Sequence, residues 1–134
     1  MSRTNVIDYV TIASTGNATD FGDSPVSVDY LAACSSNVKG LFGGGYVSSN
    51  NNRIEVVNIA STGNATNFGN LSTARREVAS ASSNVRGLWA GGSSSNVIDY
   101  VTITSEGTAT DFGDLSANRN ELAGCSNAHG GIQA

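Results

Sequence analysis

Three copies of one unit run along the chain of 134 residues, and each copy contains four short blocks. The first block is rich in β-branched residues and begins at Asn5, Asn52 and Asn96, at offsets of 47 and 44 residues. The other blocks contain Ala-Thr-x-Phe-Gly (18–23, 65–70, 109–114), small residues (30–35, 77–82, 121–126) or Gly with apolar residues (38–44, 85–91, 129–134). A period in the mid-forties with four strand-like blocks is typical of a β-propeller blade.

Apolar residues lie on both faces of the first block. In an extended strand Ile7 and Tyr9 point to one side, while Val6 and Val10 point to the other. Such two-sided strands are expected where a sheet packs between two neighbouring sheets. The segment 14–17 supplies turn residues between blocks. A stack of right-handed β-helical coils, whose rungs are usually shorter, is the alternative fold.

The order of the blocks predicts how the blades are divided. If strand A is the inner strand of a blade and strand D its outer strand, the chain carries C-D, then A-B-C-D twice, then A-B. The four parts are 1–23, 24–70, 71–114 and 115–134, all within a single domain. Half-blades leave unpaired strand edges, and such edges recruit partners.

We therefore expect an all-β propeller with three four-stranded blades' worth of strands in each chain. A homodimer would complete the half-blades between chains and close a six-bladed ring, whereas a trimer would exceed the usual range of roughly four to eight blades. The alternative is that the chain is a fragment of a longer propeller.

Charge and hydropathy exclude several kinds of partner. The formal net charge is −4 and the sequence pI is about 4.6, so no basic stripe for nucleic acid is expected. No apolar run approaches the roughly 18 residues of a membrane span, and the segment before Asn5 lacks the apolar stretch of a signal peptide. We expect a soluble protein with no nucleic-acid or membrane partner.

The two cysteines, Cys34 and Cys125, occupy matching positions in different copies, where the middle copy has Ala81. The repeat spacing is expected to hold their Cα atoms beyond the roughly 7 Å that a disulfide can bridge. Both are therefore predicted to be small core residues without a disulfide.

The sequence carries little material for catalysis or for a cofactor. His129 is the only histidine, which argues against a His-based metal cluster and a Ser-His-Asp triad within one chain. Asp20 and Asp23 have carboxylates that suit calcium, but the second copy has Asn67 and Asn70 at these positions. We expect a protein that is not an enzyme, with no cofactor and no repeated metal site.

The order of the blocks resembles the kelch repeat. In the second copy it runs from the Gly-containing strand 41–45 through 54–59 to Phe68 and Arg75, and the third copy follows the same order: 88–92, Tyr100, Phe112 and Arg119. The segment 7–23 also resembles propeller-like repeats of bacteriophage tail-fibre-type proteins. These resemblances imply a kelch-like propeller and a virion-associated location, although Phe replaces the kelch Trp and the first copy lacks the Arg.

Loops on a rigid scaffold are where binding residues concentrate. The D-to-A and B-to-C connections are predicted to form a binding face, with these candidate ligand-binding residues: Arg75, Arg76, Arg119, Tyr46, Asn50 and Asn51. Arginine forks suit carboxylates, while Tyr with Asn suits sugars. In the alternative, Arg75 and Arg119 bond carbonyl groups of neighbouring blades.

Two functions follow from this pattern. The first is a self-assembling, non-enzymatic recognition or adhesion module that binds a glycan or a surface protein. The second is a purely structural propeller unit, engineered or derived from a repeat, with no specific ligand.

Overall fold

The structure, a computed structural model, describes residues 3–126. All the regular secondary structure in that range is β-strand. The strands are β1 (Val6–Tyr9), β2 (Thr19–Asp23), β3 (Ala32–Ser35), β4 (Lys39–Gly43), β5 (Arg53–Asn58), β6 (Thr66–Asn70), β7 (Ala79–Ser82), β8 (Arg86–Ala90), β9 (Ser95–Thr102) and β10 (Thr110–Arg119). They form three antiparallel sheets: β1 with β2, β3 to β6, and β7 to β10. The expected all-β class is confirmed for the described residues.

From here a unit is counted in the order A-B-C-D, from its inner to its outer strand, so β1 and β2 are the third and fourth strands of the first unit. The third strand of each unit (β1, β5 and β9) carries an acidic residue beside a break in its pairing register. The register shifts between Ile7 and Asp8 in β1, and between Ile54 and Glu55 in β5. In β9 it shifts between Ile98 and Asp99. A bulge re-aims the neighbouring side chain, so the three acidic residues have the same local setting.

The end of the described chain differs from the predicted strand order. β10 runs to Arg119, past the boundary expected at residue 114, because Arg119 pairs with Ser95 after a break in register. Residues 121–126, expected as an inner strand, form no strand in the described range. In the complete sheets an inner strand pairs only with the second strand, and the second strand expected here, 129–134, lies outside the described residues.

The outer strands β2 and β6 are hydrogen-bonded to the next unit. The amide of Gly63 donates to the carbonyl of Phe21 at 2.7 Å, and the amide of Gly107 donates to that of Phe68 at 2.9 Å. A Cβ added at Gly69 would lie 1.8 Å from the Gly107 carbonyl oxygen. The loop between the third and fourth strands of one unit thus packs tightly on the outer strand of the preceding unit.

The inner strands β3 and β7 are also linked side by side. Ser82 Oγ donates to the carbonyl of Ser35 at 2.7 Å, and the Trp89 indole donates to the carbonyl of Ala32 at 3.1 Å. The principal buried cluster combines residues of both four-stranded sheets and their loops: Leu41, Ile54, Val56, Phe68, Leu71, Val78, Trp89, Val101, Ile103 and Ala109. The core therefore lies between two successive sheets.

Candidate functional site

Arg75 lies in the interior and not on an accessible face. Its side chain is 2% exposed, and its guanidinium donates to the carbonyls of Gly91 at 2.7 Å and Val97 at 2.8 Å. A third bond, 2.6 Å long, reaches Oδ2 of the fully buried Asp99, which also accepts the amide of Ser72 at 3.1 Å. This arrangement joins the start of one unit to its own third strand and leaves the guanidinium of Arg75 buried.

The preceding unit holds its buried acid in a different way. Val28 stands where the next unit has Arg75, and Pro25, which has no amide proton, stands where it has Ser72. Glu55 instead accepts a 2.6 Å bond from the hydroxyl of Ser24, and its second oxygen lies 3.5 Å from Nε of Arg53. Glu55 thus has a serine hydroxyl in place of the arginine, and its second carboxylate oxygen has no hydrogen-bond partner among the described residues.

Two of the predicted binding residues, Tyr46 and Arg76, are in direct contact. The Arg76 guanidinium carbon lies 4.9 Å from the centre of the Tyr46 ring, and that of Arg3 lies 5.2 Å from it. Arg76 is paired with Glu77 at 3.2 Å, and Arg3 with Asp29. We call these five residues the Tyr46 cluster; it is formally neutral and holds donors and acceptors at partly exposed positions.

Asn50 is connected to the Tyr46 cluster through Ser93. The Asn50 amide nitrogen donates to Ser93 Oγ at 3.0 Å, and the same oxygen accepts the backbone amide of Arg76 at 3.1 Å. Asn51 has a local role, because its side-chain oxygen accepts the amide of Arg53 at 3.1 Å within the loop. The loops before β5 and β9 therefore meet at Arg76.

Arg119 is exposed, unlike Arg75. Its backbone nevertheless has the position that Arg75 has in the preceding unit: Gly92 donates to the carbonyl of Arg119 at 2.8 Å, as Gly45 does to that of Arg75 at 2.8 Å. Among the described residues its guanidinium makes no ion pair.

Sequence reasoning missed Arg3 and Tyr30 on this face. Arg3 precedes the repeats, so no repeat pattern marks it. Tyr30 is 61% exposed and has φ of 57°, and the matching residues Glu77 and Glu121 have φ of 59° and 53°. A bulky residue in the left-handed region is unusual and is found where structure over-determines it. The sequence shows that this position is repeated at residues 30, 77 and 121, but its left-handed backbone is visible only in the structure.

An open cleft of about 350 Å³ lies between β1 and the sheet of β3 to β6. Its lining includes Val6 and Asp8 on one side and Phe42 and Glu55 on the other. One wall is the third strand of the first unit, β1, and the other includes the second and third strands of the next unit, β4 and β5. The corresponding strands in the sheet of β7 to β10 are covered by a neighbouring sheet.

The structure also places the two cysteines and the residues that could bind a metal ion. Cys34 and Cys125 are free thiols. Cys34 packs so close to the next sheet that a Cβ on Gly87 would lie 2.8 Å from its sulfur, whereas Cys125 is exposed, so the predicted core position is wrong for it. Burial raises the pKa of the Cys34 thiol from 9.0 to about 12. Within residues 3–126 no group of three His, Cys, Asp or Glu side chains is placed to hold a metal ion, and His129 lies outside that range.

The described part of the chain has no helix with the length and apolar character needed to cross a bilayer. Comparison with known protein families found no matching family model, and comparison with curated proteins found no significant match. Functional inference therefore depends on the geometry of the chain.

Proposed function

We propose that this chain is a kelch-like β-propeller unit that assembles with a second copy of itself and acts as a non-enzymatic recognition module. The assembly is supported by residues that are buried inside the chain in one unit and exposed in another. The recognition role is supported by the Tyr46 cluster on the loop face.

The assembly proposal depends on matching apolar positions. Ile103 is 1% exposed and belongs to the same buried cluster as Phe68, which is 2% exposed. The residue that matches Ile103 in the first unit, Ile12, is 97% exposed, and the one that matches Phe68 in the unit of β7 to β10, Phe112, is 53% exposed. The two exposed counterparts, Ile12 and Phe112, lie near opposite ends of the described chain, and we call them the two exposed halves; the counterpart in the unit of β3 to β6, Ile59, is 46% exposed.

The two exposed halves are complementary, so two chains can cover both through the contact that already exists inside each chain. Exposed apolar groups of this kind mark interaction surfaces. Two chains with three blades' worth of strands each make a ring of six blades, within the usual range.

The assembly is tested by measuring the molar mass of the intact chain in solution over a range of concentrations. We expect a species with the mass of two chains. A mass of one chain at all concentrations would refute the ring, and a mass of three chains would require a larger one.

The recognition role is carried by a single observation: two guanidinium groups flank Tyr46, with Asn50 next to them. Sugar hydroxyls both donate and accept hydrogen bonds, and a neutral cluster of amide, guanidinium and carboxylate groups offers both partners. We therefore favour a glycan over a polyanion as the ligand of this face.

A glycan array tests this role with the wild type and the double variant Tyr46→Ala, Arg76→Ala. We expect the wild type to bind at least one glycan and the double variant to lose at least about tenfold in affinity, the effect of roughly 1.4 kcal/mol. Arg86→Ala is the matched control, because Arg86 also lies over a tyrosine ring, that of Tyr100 at 4.7 Å, but within a sheet. Absence of binding by the wild type would favour the purely structural alternative.

A further inference from the structure

Arg119 and Asp8 carry the two halves of an ion pair that is complete elsewhere in the chain. In the unit of β7 to β10, Arg75 and Asp99 form this pair at 2.6 Å with both side chains buried. Arg75 matches Arg119 in the next unit, and Asp99 matches Asp8 in the first unit. Within the described chain neither Arg119 nor Asp8 makes an ion pair, and both are exposed.

The backbone around each half already has the required form. The carbonyl of Arg119 accepts a 2.8 Å bond from Gly92, as that of Arg75 does from Gly45. Asp8 pairs with Asp20 across β1 and β2, and Asp99 pairs with Asp111 across β9 and β10, each next to a register shift.

The donors that complete the buried site are present as well. Asp99 accepts the amide of Ser72 in addition to Arg75, and Ser116 matches Ser72 in the last unit. The unit that lacks the arginine, with Val28, also lacks this amide, because it has Pro25. Arginine and amide therefore occur together, and Arg119 with Ser116 repeats the two donors that bind Oδ2 of Asp99.

We propose that Arg119 of one chain and Asp8 of a second copy form a buried ion pair that joins the two half-blades at each junction of the dimer. This inference rests on the proposed self-assembly and adds the polar contact that selects the partner. Asp8 already lines the open cleft beside β1, so its carboxylate is accessible to a second chain. A desolvated pair of opposite charges disfavours any alignment that leaves one charge buried alone.

The test uses charge reversals in the full chain, with molar mass and the dimer Kd as readouts. Arg119→Asp alone places two carboxylates at each junction, and Asp8→Arg alone places two guanidinium groups there. We expect each variant to raise the dimer Kd at least about 100-fold, as expected when a buried pair is broken. An equal mixture of the two variants should restore the two-chain species. In the mixed dimer one junction has Arg119 opposite Asp8, and the other has the same two charges exchanged, so both junctions are paired.

The control is Glu106→Arg, which reverses an exposed charge in the loop between β9 and β10 and should leave the Kd within about threefold. If a charge reversal loses the β-type circular dichroism spectrum, Arg119→Gln and Asp8→Asn replace it, with an expected rise of at least about tenfold in Kd.

Wild-type dimers whose Kd is unchanged by either substitution would overturn the ion pair and leave the assembly proposal standing. A mixture that stays at the mass of one chain would also overturn it. A wild type that never dimerises would instead refute the assembly itself.

Discussion

At the scale of single residues, three arginines with the same predicted role have three different environments. Arg75 is buried against Asp99, Arg76 lies over Tyr46, and Arg119 is exposed. The repeat explains why Arg75 and Arg119 match, but burial depends on which acidic residue of the same sheet is within reach. That distance is a property of the folded sheet.

Arg75→Met is expected to lower the free energy of unfolding by about 3–5 kcal/mol, because it leaves the Asp99 carboxylate buried without its partner. Denaturant unfolding at a fixed chain concentration measures the change. Arg76→Met is the neighbouring control and should cost less than about 1 kcal/mol, since its pair with Glu77 is partly exposed. Equal losses in the two variants would contradict the structural role of Arg75.

The thiols are expected to differ in reactivity. Burial raises the pKa of Cys34 to about 12, and the thiolate is the reactive form, whereas Cys125 is exposed. At pH 8 a disulfide reagent such as Ellman's should modify Cys125 in the Cys34→Ala variant and leave Cys34 largely unmodified in the Cys125→Ala variant. Comparable rates would show that Cys34 is not enclosed by the next sheet.

The same pKa shift predicts how stability depends on pH. A folded pKa above the unfolded value means that folding favours the neutral thiol, so this stabilisation is complete below about pH 9 and is lost as pH rises through about 12. The unfolding temperature of the wild type should therefore fall more steeply with pH across this alkaline range than that of Cys34→Ala. Parallel pH profiles would argue against the shift.

At the scale of strands and loops, glycines set how closely successive units approach. Gly22 and Gly69 occupy matching positions on β2 and β6, and both lie against the carbonyl of a glycine in the next unit's loop. A side chain at either position would collide with backbone, so the spacing of adjacent sheets depends on these contacts.

Gly69→Ala is expected to destabilise the chain by at least about 2 kcal/mol, because the new Cβ would lie 1.8 Å from the Gly107 carbonyl oxygen and force the loop away. Gly16→Ala is the control, since nothing lies within 4 Å of a Cβ there, and it should change stability by less than about 0.5 kcal/mol. Urea unfolding of both variants gives the comparison; a neutral Gly69→Ala would mean that the loop yields without cost.

At the scale of the whole molecule, the first unit exposes a valine whose counterparts are buried in both later units; in the unit of β3 to β6 this residue is Val57, 7% exposed. Val101 is 4% exposed, whereas Val10, its match in the first unit, is 55% exposed. Burying an aliphatic side chain of this size contributes roughly 1.5–3 kcal/mol, so a surface made of several such residues favours association.

Ile12 and Ile103 provide a matched pair for this effect. Ile103→Ser should destabilise the chain itself by at least about 2 kcal/mol, because its side chain is 1% exposed. Ile12→Ser should leave the unfolding of the separate chain within about 0.5 kcal/mol, since Ile12 is 97% exposed, but raise the dimer Kd at least about tenfold. Sedimentation at several concentrations measures the second effect, and an unchanged Kd would place Ile12 outside the contact.

The amino-acid sequence by itself determined the all-β class, the four-stranded units and most strand positions, because period-two apolar patterns and turn residues are local signals that recur at each repeat. It also indicated that Tyr46, Asn50 and Arg76 belong to one face. Tertiary structure decided which of the matching residues are buried. Arg75 is enclosed and Arg119 exposed, and Ile103 is covered while Ile12 is not. The reason is physical: burial depends on the neighbouring sheet, and identical repeats have different neighbours at different places in the chain.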